Sequence, residues 1–336
     1  MTPPENPEKN NNDSFDDAEN LNMSQNESQN ESQNESQNES QNESQNESQN
    51  ESQNESQNES RNESQNEVVI RASGLGFSYD GSEPVLKDIN LEIRKGEYVI
   101  LTGKNGSGKS TFALCLNALL KPSAGKLEVF GLDTASSKNL SRLRKTVCIV
   151  FQNPYMQFVG DTVEEDVAFG PENLALPRDE IVRRVDEAIG FVGLSGLRLQ
   201  DPATLSGGEA QCAAIAGVLA MNPDCIVFDE VTSMLDAESA GRIRHIIDRL
   251  HKDGRTIIFI SHDPAEILRA DRVIVFDKGT VSFSGTPADY IENGAGALPE
   301  MTKLLIMFRE HGCPVDICGP VNAEDVFRMI RPYLKS

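Results

Sequence analysis

The sequence has no long apolar run and few cysteines, which argues against a membrane-spanning protein and against a disulfide-rich one. No apolar stretch approaches the roughly 18 residues that a membrane-spanning helix needs. The N-terminus has no basic segment followed by an apolar one, so we expect the protein to stay in the cytosol. The six cysteines are scattered without a C-x-x-C pair, which favours reduced and mostly structural thiols.

Basic residues are also scarce, because the 336 residues include 53 acidic and only 31 basic ones, for a formal net charge of −22. The first 67 residues carry −15 of this charge and the other 269 residues carry −7. A region of 269 residues can bury a sizeable core. Its mild acidity gives no support to nucleic-acid binding, which needs a basic patch. We therefore predict that nucleic acid is not a partner.

The N-terminal segment is built from a polar tetrapeptide. Ser-Gln-Asn-Glu occurs eleven times in succession from Ser24 to Glu67, with one variant copy that contains Arg61. Because the repeat has no apolar residue, it cannot bury enough surface to offset the entropy lost on folding. We predict a disordered acidic tail over residues 1–67 and a folded region from Val68.

A glycine-rich stretch then points to the chemistry. It fits the phosphate-loop pattern G-x-x-x-x-G-K-[ST] and comprises Gly103, Lys104, Asn105, Gly106, Ser107, Gly108, Lys109, Ser110 and Thr111. A strand-like run (98–102) precedes it and a helix-like run (112–120) follows, which is the setting that this motif requires. Glycines let backbone N–H groups turn toward a phosphate, and the following helix directs its positive end at the same anion. We predict that Lys109 reaches the β- and γ-phosphates of a nucleotide and that Ser110 ligates Mg²⁺.

A second nucleotide element is predicted where the apolar run 225–228 ends in Asp229 and Glu230. Asp229 can hold Mg²⁺ opposite Ser110, and Glu230 can polarise a water that attacks the γ-phosphate. The alternative is an ordinary strand that ends in surface acids. The phosphate loop about 120 residues upstream favours the nucleotide interpretation.

The order of elements predicts an α/β fold with a parallel core sheet. Strands are predicted at 68–77, 85–93, 98–102, 126–130, 146–151, 225–229, 256–261, 272–277 and 280–283. Helices are predicted over 112–120, within 161–205 with breaks at Gly170-Pro171, Pro177 and Gly193, and over 206–220, 237–252 and 264–270.

The residues before the predicted strand at 225 make the interpretation more specific. Leu205, Ser206, Gly207, Gly208 and Glu209 open a helix and resemble the signature motif of ATP-binding-cassette (ABC) ATPases, with Glu where many members have Gln. Physically, this is a second helix N-terminus with a hydroxyl and two glycines, suited to a γ-phosphate. The resemblance implies that the signature caps ATP held by a partner subunit, with two ATP molecules enclosed in a dimer.

Further elements of that family follow in the expected order. Tyr79 matches the aromatic residue that stacks on adenine, and Gln152 matches the Q-loop glutamine that contacts Mg²⁺ and senses the membrane partner. Ser233 and Asp236 match the D-loop, and His262 matches the switch histidine at the γ-phosphate. Each residue alone is commonly a packing or surface residue, so the resemblance depends on their combination.

Two segments, 151–160 and 162–174, narrow the resemblance to the A components of energy-coupling factor (ECF) importers, including the cobalt-importer type. The resemblance implies an ATPase that uses ATP and Mg²⁺ and works as a homo- or heterodimer of A components. It also implies a peripheral position on the cytoplasmic face of the cell membrane. There a T component spans the membrane and an S component captures a vitamin or transition-metal ion. The acids Glu164, Glu165 and Asp166 either contact basic residues of the T component or form a solvent-exposed acidic turn, and the sequence favours neither alternative.

The resemblance also implies a domain plan. An ABC-type ATPase domain is expected over 68–285, with a parallel sheet, an antiparallel β subdomain and a helical subdomain at about 161–220. A helical C-terminal extension is expected over 286–336. Two alternatives remain open: a soluble ABC ATPase without a transport role, and a regulatory ATP-binding module.

The signature region departs from the family at two positions. Glu209 replaces a glutamine, and Cys212 stands where an arginine is usual. Both changes lower the positive potential next to a γ-phosphate. We predict that the ATP site completed by this signature is slower or looser than the other site of the dimer.

Overall fold

The computed structural model describes residues 67–81, 83–293, 300–311, 327–329 and 331. Of the predicted tail, only Glu67 falls within these ranges, and its carbonyl oxygen accepts a hydrogen bond of 2.8 Å from the Lys95 N–H. Cys313 and Cys318 lie outside the described residues, whereas Cys115, Cys148, Cys212 and Cys225 are buried free thiols. Within the described part of the chain, no helix has the length and hydropathy needed to cross a bilayer.

The described strands are β1 (Val68–Phe77), β2 (Leu86–Arg94), β3 (Tyr98–Thr102), β4 (Ala124–Val129), β5 (Leu132–Asp133), β6 (Val147–Val150), β7 (Cys225–Asp229), β8 (Thr256–Ile260), β9 (Arg272–Asp277) and β10 (Thr280–Gly285). The described helices are α1 (Lys109–Leu116), α2 (Leu140–Thr146), α3 (Val163–Asn173), α4 (Arg178–Val192), α5 (Gly207–Ala220), α6 (Ala237–Lys252), α7 (Pro264–Ile267), α8 (Pro287–Glu292) and α9 (Glu300–Glu310).

The central sheet has the strand order β10-β9-β3-β8-β7-β6. Its neighbours are parallel except for β10, which pairs antiparallel with β9. Every residue of β3 and β8 is buried, as expected for parallel strands that are covered on both faces. Because β3, β7 and β8 run in the same direction, the loops that follow them meet at one edge of the sheet.

Two apolar clusters cover the central sheet. On one face, Ile226 and Phe228 of β7 pack with helices α3 to α6. On the other face, Val227 packs with α1 and with the antiparallel sheet of order β2-β1-β4-β5. Successive side chains of β7 therefore point to opposite faces of the sheet, one set toward the helices and the other toward the antiparallel sheet.

The predicted helix break at Gly170-Pro171 is wrong, because α3 continues through both residues to Asn173. Proline lacks an N–H, so the helix loses one hydrogen bond in its last turn. The chain instead turns at Ala175, where φ is 53°. Two other helices are shorter than predicted. Helix α1 ends at Leu116, before Ala118 with φ of 55°, and the residues after α7 form tighter turns such as Arg269 N–H to Glu266 carbonyl.

Candidate nucleotide-binding site

The glycine-rich loop joins the carboxyl end of β3 to the start of α1. Gly103 has φ of 128°, and a Cβ at this position would lie 2.0 Å from the Phe276 carbonyl oxygen. Gly108, the residue before α1, has φ of 107°, and its Cβ would lie 2.7 Å from Leu86 Cδ2. The loop therefore follows a path against its neighbours that only glycine allows.

Lys109 is held inside this loop and is 5% exposed. Its Nζ donates hydrogen bonds to the carbonyl oxygens of Gly103 at 2.8 Å and Lys104 at 3.1 Å. Burial lowers the pKa of Lys109, and the nearby carboxylates of Glu230 and Asp229 oppose this shift. The structure thus holds the Lys109 ammonium group against two backbone carbonyls of the loop.

Ser110 and Asp229 meet although 119 positions separate them in the chain. The Ser110 hydroxyl donates a hydrogen bond of 3.2 Å to Asp229 Oδ1. Burial raises the pKa of Asp229, and the bond from Ser110 opposes the shift. A hydroxyl and a carboxylate are hard oxygen donors of the kind that Mg²⁺ prefers, so the pair fits this ion.

Glu230 contacts three other predicted site residues. Its Oε1 lies 3.3 Å from His262 Nε2, and its Oε2 accepts a hydrogen bond of 3.1 Å from Gln152 Nε2. Gln152 Nε2 also lies 3.0 Å from the Ser233 hydroxyl. The structure therefore brings the strand-end glutamate, the switch histidine, the Q-loop and the D-loop to one place.

The phosphate loop, the Q-loop glutamine and the acids after β7 line a cavity of about 400 Å³, whereas His262 and Ser233 line a second cavity that shares Glu230. The walls of the first cavity include Asn105, Gly106, Ser107, Gly108, Lys109, Ser110, Thr111, Gln152, Asp229 and Glu230. The Ser107 hydroxyl is buried and has no hydrogen-bond partner among the described residues. A buried hydroxyl of this kind normally finds a partner, so its place in the loop fits a bound anion.

Tyr79 and Asp236 are not among the cavity walls in the described part of the chain. The Tyr79 ring is 45% exposed, makes an edge contact with Phe77, and its hydroxyl lies 3.5 Å from Thr111 Oγ1. Asp236 caps α6 by accepting hydrogen bonds from the N–H groups of Glu238 and Ser239. Tyr79 is thus next to the phosphate loop, whereas Asp236 orders the start of a helix.

The signature residues are not brought to this cavity. None of Leu205, Ser206, Gly207, Gly208 and Glu209 is among its walls in the described part of the chain. Ser206 is instead the N-cap of α5, where its hydroxyl donates to Glu209 Oε2 at 2.6 Å and its N–H donates to the same oxygen at 2.9 Å. The Leu205 carbonyl oxygen accepts a hydrogen bond of 2.8 Å from the Tyr155 hydroxyl, which lies just after the Q-loop glutamine.

Sequence reasoning missed two buried polar residues. Gln211 is 1% exposed and donates from Nε2 to the Phe151 carbonyl oxygen at 3.2 Å, which fixes the start of the Q-loop. Glu266 is completely buried and accepts hydrogen bonds from Thr232 and Arg244. The only signal in the sequence is a polar residue at a position where the helix faces the core.

Comparison with known proteins identifies relatives over most of the folded region. A family model described as ABC transporter matches residues 86–233. The chain is 48% identical over 252 residues to the energy-coupling factor transporter ATP-binding protein EcfA of Methanosarcina acetivorans, which covers 74% of this chain and 92% of that protein. It is 42% identical over 274 residues to the cobalt import ATP-binding protein CbiO of Syntrophus aciditrophicus, which covers 79% and 97%.

Two solved structures of ABC proteins are also similar to this chain. CbiO1 from Clostridium perfringens, part of the ABC transporter complex cbiONQ, matches with a TM-score of 0.65 at 33% identity and covers 73% of this chain and 98% of that one. The ATP-binding cassette MJ0796, in a dimeric post-hydrolysis state bound to ADP and Pi, matches with a TM-score of 0.60 at 28% identity and covers 65% and 99%.

Proposed function

This chain belongs to the family of energy-coupling factor transporter ATP-binding proteins, and we propose that the residues at the carboxyl edge of its parallel sheet hydrolyse ATP to drive an ECF-type importer. It is an ABC-type ATPase, and the predicted fold class is confirmed by the structures that it matches. The relatives are named as transporter subunits, which supports transport over the soluble and regulatory alternatives. The observation that carries the proposal is the convergence of the phosphate loop, the Q-loop glutamine and the acids after β7 on one cavity.

The phosphate loop is proposed to bind the β- and γ-phosphates of ATP. Lys109 would exchange the carbonyl oxygens of Gly103 and Lys104 for phosphate oxygens, which are stronger acceptors because they are charged. The unpartnered Ser107 hydroxyl and the N-terminus of α1 supply further donors. Tyr79 is close enough to the loop to stack on the adenine of the same nucleotide.

Ser110, Asp229 and Gln152 are proposed to hold Mg²⁺. The Ser110 and Asp229 oxygens are already 3.2 Å apart, and Gln152 lines the same cavity. The chemistry that Mg²⁺ supplies when bound is neutralisation of charge on the β- and γ-phosphate oxygens.

Glu230 and His262 are proposed to act on the γ-phosphate. Glu230 would orient a water for in-line attack and accept its proton, and His262 would stabilise charge that develops on the phosphoryl oxygens. Their separation of 3.3 Å supports a shared task, because it would let both groups contact one phosphoryl group.

The signature and the D-loop are proposed to complete the ATP site of a second subunit. Because the signature lies away from the cavity of its own chain, it is available to a partner. The dimeric state of MJ0796 is a property of that protein, and it supports the same arrangement here. In this arrangement Leu205, Ser206, Gly207, Gly208 and Glu209 face the partner's γ-phosphate, with Ser233 and Asp236 between the two sites.

A membrane T component is proposed to dock beside the Q-loop. Large apolar side chains are exposed there, with Met156 at 84% and Val159 at 61% exposure. Tyr155, in the short helical turn Pro154–Met156, connects this surface to the signature through the Leu205 carbonyl. Docking at this surface would place the protein on the cytoplasmic face of the membrane, and an S component would select the vitamin or metal ion.

Two of the acidic residues in the first turn of α3 already have partners within the chain, so they are less available for contacts with a T component. Asp166 Oδ1 accepts hydrogen bonds from the N–H groups of Val159 at 2.7 Å and Gly160 at 3.1 Å. Glu164 pairs with Arg198 at 2.9 Å. Asp166 therefore orders the loop after the Q-loop, and Glu164 is paired with a residue that follows α4.

Co-expression with neighbouring genes tests the proposal. The full chain should co-purify with a multi-span membrane protein that stimulates its ATPase activity. The Lys109→Ala variant serves as a control, because it should assemble but bind ATP poorly. A purified assembly that neither binds nor hydrolyses ATP would contradict the proposed function.

A further inference from the structure

A buried carboxylate lies behind the proposed catalytic pair, and the mechanism above does not use it. Glu266 belongs to α7, and its side chain is 0% exposed. The Thr232 hydroxyl donates to Oε1 at 2.7 Å, and Arg244 Nε donates to the same oxygen at 3.1 Å. The Ser261 hydroxyl donates to Oε2. Two hydroxyls and one guanidinium therefore satisfy this carboxylate.

The two hydroxyls belong to the two loops that carry the catalytic pair. Thr232 is two residues after Glu230, in the loop that leaves β7. Ser261 directly precedes His262, in the loop that leaves β8, and its Oγ also accepts a hydrogen bond of 3.0 Å from the Asp263 N–H. One buried carboxylate thus fixes both loops at the edge of the sheet.

The backbone of Glu230 needs such support. Its φ is 52°, in the left-handed region that side-chain-bearing residues seldom adopt. Such a conformation persists where the surrounding contacts fix it. The Glu230 N–H donates to the Ile260 carbonyl at 3.0 Å, and the Ser233 hydroxyl donates to the Glu230 carbonyl at 2.8 Å. The bond from Thr232 to the buried carboxylate anchors the next turn of this loop.

A gain in folding stability does not by itself explain why the charged pair Glu266–Arg244 is buried here. Removing a carboxylate and a guanidinium from water is costly, and apolar side chains of similar volume usually stabilise a core at least as well. Arg244 makes a second contact, with Asp263 Oδ2 at 3.2 Å, so the charges link α6 to the residue that follows the switch histidine and to α7. The cluster instead fixes the geometry of the two loops that follow β7 and β8.

We propose that Glu266 is a positioning residue for ATP hydrolysis, which sets the separation of Glu230 and His262 through the Thr232 and Ser261 hydroxyls. The inference rests on the proposed roles of Glu230 and His262. Glu266 is not among the walls of the nucleotide cavity in the described residues, so it acts on kcat and leaves ATP affinity nearly unchanged.

Glu266→Gln in the full-length chain tests the inference. The amide keeps the size of the side chain, but it accepts fewer hydrogen bonds and removes the charge that holds Arg244. We expect kcat to fall on the order of 10²-fold, because a small displacement of reacting groups has effects of this size. Binding of a non-hydrolysable ATP analogue should be retained. The matched control is Asp248→Asn, which removes a neighbouring ion pair of α6 with Arg269 and touches neither loop.

The outcomes separate this inference from the proposed function. A wild-type kcat in Glu266→Gln, with only a lower melting temperature, would overturn the positioning role. Absent hydrolysis in the wild-type assembly, or retained hydrolysis in Glu230→Gln, would instead overturn the proposed catalytic roles.

The single hydroxyl variants Thr232→Val and Ser261→Ala provide a second route if Glu266→Gln does not fold. Each should lower kcat while analogue binding persists, and a wild-type kcat in both would overturn the inference. In a folded Glu266→Gln background, Ser261→Ala should lower kcat little further, because both changes break the same contact. Full additivity of the two losses would count against action through Ser261.

Discussion

The Ser206 hydroxyl donates a hydrogen bond of 2.6 Å to the Glu209 carboxylate three residues along α5. This bond and the one from the Ser206 N–H lower the pKa of Glu209, so the carboxylate is ionised at neutral pH. The hydroxyl that would meet a partner's γ-phosphate therefore already donates to an anion of its own chain. This contact is a physical reason to expect slower turnover at the ATP site that this signature completes.

Glu209→Gln is expected to raise turnover at the site that this signature completes. The substitution removes a negative charge next to the γ-phosphate, and one charge at about 4 Å in water changes an energy by about 1 kcal/mol, or about fivefold in rate. Single-turnover ATP hydrolysis by the assembled dimer measures the change. Glu92→Gln in β2 is the matched control, because it removes an exposed acid of the antiparallel sheet that pairs with Arg71.

The slower-site prediction has its own test in a heterodimer. Disabling each subunit's Glu230 position in turn leaves a single working site to be measured. Equal rates at the two sites would show that the altered signature has no kinetic effect.

Glu230→Gln is expected to abolish hydrolysis and preserve ATP binding. The amide cannot accept the proton of the attacking water, so kcat should fall by about 10² or more. Release of phosphate and binding of labelled ATP are the two measurements. Glu128→Gln in β4, which changes an acid of the antiparallel sheet, should leave both at their wild-type values. Substantial turnover in Glu230→Gln would assign the base to another group.

Met156→Glu is expected to weaken assembly with the membrane component. The side chain is 84% exposed, so the substitution should hardly change the free energy of unfolding, but it places a charge on the proposed docking surface. The fraction of chain that co-purifies with the membrane protein measures the effect. Leu119→Glu, a change of similar character after α1, should co-purify as the wild type does. Normal assembly of Met156→Glu would move the docking surface elsewhere.

His251 is expected to make stability depend on pH. It lies 3.1 Å from Asp271, and the hydrogen bond between them raises the pKa of His251 above its usual 6.5. Burial alone would raise the pKa of Asp271, but the bonds from His251 and the Tyr98 N–H outweigh it and lower this pKa below 3.8. The contribution of His251 is thus complete below pH 6.5 and is lost as pH rises through its folded pKa.

His251→Gln should therefore lower the urea midpoint more at about pH 6 than at about pH 9. His245→Gln, an exposed position on the same helix, should show no such difference. An equal loss at both pH values in His251→Gln would mean that the charged pair does not stabilise the fold.

The site was predictable from sequence where its chemistry is local. The phosphate loop, its lysine and the acids after β7 are each encoded within a few consecutive residues, because strand, turn and helix must follow directly for such an element to form. Pro171 shows the limit of local reasoning. Proline is a helix breaker by propensity, yet the packing of α3 against α5 outweighs the loss of one hydrogen bond.

By itself, the sequence determined which groups are available: the glycines at positions 103 and 108, the lysine between backbone carbonyls, and the acids at the end of an apolar strand. Only the tertiary structure decided which of them meet. Gln152 reaches Glu230, Ser110 reaches Asp229, and Glu266 joins two loops because parallel strands far apart in the chain end at one edge of a sheet. A hydrogen bond depends on distance in space, and the order of residues along the chain does not give that distance.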